Sequence, residues 1–154
     1  MKIYLDACCL NRPFDDQSQA RIRVESEIII FILSRIYEKE WEWIGSEILE
    51  LELEQTPNVE KRERLILSAS RSDTSVKIEQ IENIRSHELE KFGFHSFDAL
   101  HIACAESGKA DIFLTTDDKL LKLATRSSNK LKVTVANPLT WLLEEQVTWN
   151  ASIQ

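Results

Sequence analysis

The sequence predicts an α/β domain built on a mostly parallel sheet, and three observations carry that reading. Short apolar segments of strand type alternate with longer segments of helical period, the pattern that packs helices onto a parallel sheet through right-handed crossovers. Ser46 and Ser96 each stand at the start of a helix-type segment, where a side-chain oxygen can accept an otherwise unpaired backbone N–H. A chain of 154 residues is long enough to bury one core and too short for two independent ones.

Lys2–Leu5 alternates and is rich in β-formers, giving a first strand that ends at Asp6. Asn11, Arg12, Pro13, Asp15 and Asp16 are turn formers and predict a loop. Ile22, Ile29, Ile32, Leu33 and Ile36 recur at helical spacing within a long helix over residues 21–40, followed by a short strand at 41–44. The helix capped by Ser46 has Glu47 and Glu50 near its positive end, runs to about Glu54, and is broken by Thr56-Pro57-Asn58. Residues 59–68 form a charged helix and 68–73 a turn, while 76–78 reads equally as strand or helix start. Ile78, Ile81, Ile84 and Leu89 mark the apolar face of the next helix. Ser96 then opens a small-residue helix over 97–106, closed by Gly108 in the C′ position. Ile112–Leu114 is a strand continuing into Thr115-Thr116-Asp117-Asp118, with a helix at 119–124 and a last strand at 133–135. Pro138 starts a terminal helix through Leu143. With no repeat or linker, one domain is expected over 1–146, followed by a tail over 147–154.

Composition narrows the function classes. Hydrophobic residues at 43% and charged ones at 29% fit a globular protein and exclude extended disorder. The richest apolar stretch, 28–33, meets Arg35 and Glu38 too soon to span a bilayer. The opening MKIYLD lacks the apolar core and cleavage site of a signal peptide, so a cytoplasmic location is expected. Cys8, Cys9 and Cys104 are an odd set with an adjacent pair, better read as small buried residues than as disulfide partners, and zinc-ligand spacing is lacking. A net charge of −7 argues against a broad basic nucleic-acid surface but is compatible with a site whose metal ligands are carboxylates.

The acids fall in a pattern. Asp6 follows the first strand and Asp117 the strand at Ile112–Leu114, while Glu50 and Asp98 lie in the first turns of helices. In an open parallel sheet, strand C-termini and the following helix N-termini share the edge where ligands bind. Several carboxylates brought together there repel one another unless a cation lies among them or some are protonated. Oxygen ligands suit Mg²⁺ or Mn²⁺.

The segments IYLDACCLNRPF, SEILELELE, SFDALHIACAE and FLTTDDKLL together resemble the PIN-domain family, in particular its prokaryotic VapC-like toxin branch. The resemblance covers nearly the whole chain and implies a three-layer α/β/α sandwich and a Mg²⁺- or Mn²⁺-dependent ribonuclease. It points to Asp6 as the first family acid, Asp98 in the D-A-L-x-x-A-x-A pattern as the third, and Asp117 in the T-x-D pattern as the fourth. The second is a Glu in the helix after strand two. Glu50, a turn in from the cap and bracketed by Leu49, Leu51 and Leu53, is the expected ligand, with Glu47 and Glu52 as alternatives. Glu47, Glu50 and Glu54 share one helix face, and Glu52 points to roughly the opposite side. Asp118 is a further candidate through a second ion or a water. Many family members carry Asn two residues after the first Asp, where this chain has Cys8, leaving Asn11 as the nearby amide.

Taken singly, each acid has an ordinary structural reading: Asp98 as a helix N-terminal acid, and Asp117 or Asp118 as a first-turn acid after Thr116. His87, His95 and His101 are the histidines; His101 lies one turn after Asp98, and a satisfied buried histidine is its default reading. Thr115 and Thr116 are expected to hold Asp117 by local hydrogen bonds. Trp41, Trp43, Trp141 and Trp149 read as packing residues rather than base-stacking platforms. The expected reaction is phosphodiester hydrolysis by in-line attack of water activated by one or two divalent ions, with Arg12, Lys119 and Lys122 as candidate phosphate contacts. The resemblance further implies an RNA substrate, an antitoxin partner and a homodimer, with no membrane. Two rivals are a non-catalytic PIN-like binding module and a haloacid-dehalogenase-type phosphatase, the latter disfavoured because Ala7 and Cys8 supply no second Asp after Asp6.

Overall fold

Strand β1 (Lys2–Leu5) is the axis of the sheet because both of its faces are apolar: Ile3 and Leu5 point one way and Tyr4 the other, all fully buried. In the computed structural model, which describes the backbone of residues 1–153 and the side chains of residues 1–145, β1 lies between β2 (Glu42–Ser46) and β4 (Ile112–Leu114). Strand β3 (Thr74–Val76) pairs outside β2, and β5 (Thr134–Ala136) outside β4. The order is β3-β2-β1-β4-β5 and every pairing is parallel.

Helices cover both faces, giving the expected three-layer α/β/α sandwich. On one side Ile3, Leu5, Trp43, Ile112 and Leu114 pack with Ile29, Ile32 and Ile36 of α2 (Ala20–Tyr37), Leu49 and Leu53 of α3 (Glu47–Glu54) and Leu65 of α4 (Val59–Ala69). On the other, Tyr4, Ile44 and Phe113 meet Leu89 of α5 (Gln80–Lys91), Ala99 and Ile102 of α6 (Ser96–Ser107) and Leu120 of α7 (Asp118–Arg126). Helix α8 (Pro138–Ile153) closes the first side through Trp141 and Leu142. It runs well past the expected end at Leu143, and residues 147–154, expected as a tail, fall outside the described side chains, as does Trp149. Among the described residues no helix is long and apolar enough to cross a membrane.

Several local expectations change. The segment after β1 is not all loop: Ala7–Asn11 forms a short helix, α1, because the Asp6 carboxylate accepts the Ala7 N–H and its carbonyl accepts the Cys9 N–H, and a 3₁₀ turn follows at Arg12–Phe14. Residues 74–76 resolve as strand. Of the apolar face read onto α5, Ile81 and Ile84 turn outward, 74% and 53% exposed, while Leu89 is fully buried. Its inward stripe is Glu82, Ser86 and Leu89, and the Glu82 carboxylate is satisfied there by the Glu79 N–H and the Ser107 hydroxyl. Gly108 has φ of −77°, so the end of α6 does not use it for a left-handed turn, and Lys109 takes that conformation at φ 59°. What requires glycine at 108 is proximity, since a Cβ there would lie 2.6 Å from Ile44 Cγ2 and 2.9 Å from Val76 Cγ2. Gly108→Ala is therefore expected to cost about 1–3 kcal/mol through overpacking. An unchanged midpoint in urea unfolding would show that this edge of the sheet can yield.

Candidate metal centre

The strand order reverses direction of growth between β1 and β4, which opens a crevice beyond their C-terminal ends. Asp6 leaves β1 on one side of this crevice, and Thr115, Thr116 and Asp117 leave β4 on the other. The Asp6 side chain is only 5% exposed. One of its oxygens accepts the Ala7 N–H at 2.8 Å and the other the Thr115 hydroxyl at 2.9 Å, with the Cys8 thiol a weak donor at 3.5 Å. Burial raises the Asp6 pKa, against the opposing pull of His101 and the Thr115 hydrogen bond.

Thr115 joins the two sides of the crevice: its hydroxyl donates to Asp6 and accepts the Asp117 N–H at 3.1 Å. Asp117 is itself the cap of α7, its Oδ1 accepting from Lys119 N at 2.9 Å and Leu120 N at 3.3 Å, which leaves Oδ2 unspent. Thr116 takes a different role from the expected one, since its N–H donates to Cys8 Sγ. Asn11 donates to the Ala7 carbonyl and does not reach Asp6, so Cys8 is the residue that occupies this side of the carboxylate.

From α6, Asp98 enters the same cluster. It is half-buried and makes no hydrogen bond or ion pair among the described residues. Burial, and then the charges of Asp6, Asp117 and Glu52, push its pKa up to about 6, with His101 pulling the other way. A carboxyl in this state is what convergence of acids produces when no hydrogen-bond donor or basic side chain reaches it. Nearby arginines are spent elsewhere: Arg12 on Asp15 and the buried Glu25, Arg21 on Glu25 and Asp118. Arg12 is thus held away from the phosphate-contact role considered for it, while Lys119 and Lys122 stand exposed on α7.

Glu50 is not brought to the other acids. It is exposed and accepts the Ser75 hydroxyl at 3.1 Å, and Glu47 on the same face accepts the Ile78 N–H at 2.9 Å. The acid that reaches the cluster is Glu52, about 200° round the helix from Glu50. The signal was present in the sequence: Ile48, Leu49 and Leu53 are the buried positions of α3, and Glu52 completes their stripe at i+4 and i+3. Leu51, read as part of an apolar bracket, is 44% exposed. Asp118 is likewise directed away, both of its oxygens taken by Arg21 at 2.7 and 2.9 Å.

His101 completes the centre. Fully buried, its Nε2 lies 2.9 Å from Glu52 Oε2 and 3.9 Å from Asp6 Oδ1, and its Nδ1 2.6 Å from Tyr4 Oη. Burial works against a charged ring, but the Glu52 hydrogen bond and the charges of Asp6, Glu52 and Asp98 outweigh it and raise the pKa. Asp6, Glu52 and His101 each present one ligand-type atom within 4.8 Å of the others. The residues fit a hard divalent cation: the Asp6 and Glu52 oxygens converge at the strand edge, and Asp98, which feels their charge, has an unpartnered carboxylate.

The electrostatics give a signed expectation. A carboxyl whose folded pKa lies above its unfolded value favours the fold while protonated and loses that support as the pH rises through about 6. In EDTA, Asp98→Asn should therefore melt higher than wild type at pH 8, with the gap closing toward pH 4. A variant that melts lower at pH 8 would make Asp98 an ordinary helix-end acid.

No protein-family model matches this sequence, and comparison with curated proteins also gives no match. Solved structures do match. A chain of VapBC2 from Rickettsia felis, bound to a DNA fragment from their promoter, aligns at 14% identity with a TM-score of 0.58, over 89% of this chain and 98% of that one. A chain of VapBC-1 from nontypeable Haemophilus influenzae aligns at 16% identity with a TM-score of 0.56, over 90% and 99%. The parallel five-stranded sheet with helices on both faces is thus shared with chains of VapBC complexes over nearly their whole length, and the fold is PIN-like.

Proposed function

We propose that the protein is a nuclease that hydrolyses RNA with Mg²⁺ or Mn²⁺, its cation held by Asp6, Glu52, Asp98 and Asp117. The observation that carries this reading is the approach of Asp6, Glu52 and His101 to within 4.8 Å of one another, with an unpartnered Asp98 carboxylate that feels the charges of Asp6, Asp117 and Glu52. When bound there, a divalent cation supplies positive charge that stabilises phosphoryl oxygens and acidifies water. Thr115 and the Ala7 N–H fix the Asp6 carboxylate, and the α7 cap fixes Asp117 with one oxygen free. Lys119 and Lys122, exposed on the helix that Asp117 caps, are placed to meet phosphates. Asp118 is left outside the ligand set because Arg21 occupies it. The likeness to chains of VapBC complexes supports a toxin role with an antitoxin partner, and a homodimer remains part of the reading that the sequence resemblance suggested.

Cleavage of single-stranded RNA by the purified protein should need Mn²⁺ or Mg²⁺ and stop in excess EDTA. Glu52→Gln should lower the rate roughly 100-fold or more, as expected for a direct metal ligand, whereas Glu50→Gln should leave it within about threefold. Cutting that persists in EDTA, or a larger effect at Glu50, would overturn the assignment. A protein that binds RNA without cutting it would be a binding module with a nuclease fold.

A further inference from the structure

Four buried or half-buried groups that the proposed chemistry does not use form one continuous chain of hydrogen bonds ending on Glu52. The Leu49 N–H donates to Ser46 Oγ at 3.1 Å, Ser46 Oγ lies 2.6 Å from Tyr4 Oη, Tyr4 Oη 2.6 Å from His101 Nδ1, and His101 Nε2 2.9 Å from Glu52 Oε2. One assignment of protons satisfies them all. Ser46 accepts from Leu49 and donates to Tyr4, Tyr4 donates to Nδ1, and the ring donates through Nε2 to the carboxylate. Running the chain backwards with a neutral ring would set the Nε2 lone pair against the Glu52 carboxylate. A charged ring also carries a proton on Nε2, so Glu52 receives a hydrogen bond in either state.

The chain is rigid along its length. The Tyr4 ring stacks on Phe113 at 5.0 Å with both buried, His101 is fully enclosed, and Ser46 is the residue that caps α3. It therefore ties the start of α3 and its Glu52 to the central strand and to the helix that carries Asp98. A glutamate has three side-chain torsions, and Glu52 is otherwise free to swing toward solvent.

The geometry points to His101, supported by Tyr4 and Ser46, as a positioning residue that fixes the Glu52 carboxylate by engaging Oε2 and leaving Oε1 for a divalent cation. This rests on the metal-site reading above. His101 itself is not counted as a ligand because both ring nitrogens are engaged.

The test is calorimetric titration of Mn²⁺ into wild type, Glu52→Gln, His101→Leu, His101→Gln, Tyr4→Phe and the double variant Glu52→Gln/His101→Leu, with a thermal melt of each in EDTA to confirm folding. His101→Leu should weaken Mn²⁺ binding roughly 10-fold or more, the range seen when partners of metal ligands are removed. His101→Gln, which can still accept from Tyr4 and donate to Glu52, should recover most of that loss, and Tyr4→Phe should lose a smaller part. In the Glu52→Gln background, His101→Leu should cost nothing further, because its effect passes through Glu52. Wild-type affinity in His101→Leu, or an equal loss in both backgrounds, would overturn the positioning role. If His101→Leu does not fold, Tyr4→Phe decides, and unchanged affinity there would overturn it too. Failure of wild type to bind Mn²⁺ is a separate outcome that removes the metal site itself.

Discussion

A carboxylate buried at the end of the central strand is the constraint to which the surrounding structure answers. Asp6 sits where β1 leaves the sheet, almost without solvent, and a charge there is costly unless donors or a cation compensate. The protein supplies donors from the first turn of α1 and from the Thr115 hydroxyl beyond β4, with the His101 imidazole 3.9 Å away as a favourable neighbour rather than a hydrogen-bond donor. Glu52 brings a ligand-type oxygen within 4.8 Å of the Asp6 carboxylate, and Asp98 adds a further charge that Asp6 repels. A fold organised for stability alone would put lysine or arginine there. Here the arginines are drawn off to Glu25, a 3% exposed carboxylate that also accepts from Asn137 and binds the turn after α1, α2 and the start of α8 into one clasp. Stability is built at one side of the crevice while charge is left uncompensated at its centre, the usual division between scaffold and site.

The fold itself was legible because it is written in periodicity. Both faces of β1 and β4 are apolar, so these strands announce burial on two sides, and the cap at Ser46 marks where α3 begins. Where the reading went astray, polar groups had replaced apolar ones on an inward face. In α5 the inward stripe is led by Glu82, whose carboxylate finds two donors, so the isoleucines at 81 and 84 advertised the wrong face. In α3, Glu52 lies beside the buried stripe of Ile48, Leu49 and Leu53, and the flanking leucines favoured Glu50 over it, leaving Glu52 as an alternative. A half-buried acid is invisible to a search for apolar periodicity because its partner, here His101, is distant in sequence. Asp6, Asp98 and Asp117 were read from their positions, strand end or first helical turn, together with the family patterns in which they stand.

Overall charge and local site chemistry also separate cleanly. The net charge of −7 argues against a broad basic surface, and Lys119 and Lys122 are exposed cations on the helix that Asp117 caps.

If Asp6, Glu52, Asp98 and Asp117 hold one divalent centre, crystals grown with Mn²⁺ will reveal it through anomalous scattering. The account predicts an anomalous peak in the crevice between β1 and β4, among the oxygens of those four residues and with Glu50 still on Ser75. A peak bound by Glu50 or Asp118, or a well-ordered crevice with no peak at Mn²⁺ concentrations that support cleavage, would contradict it.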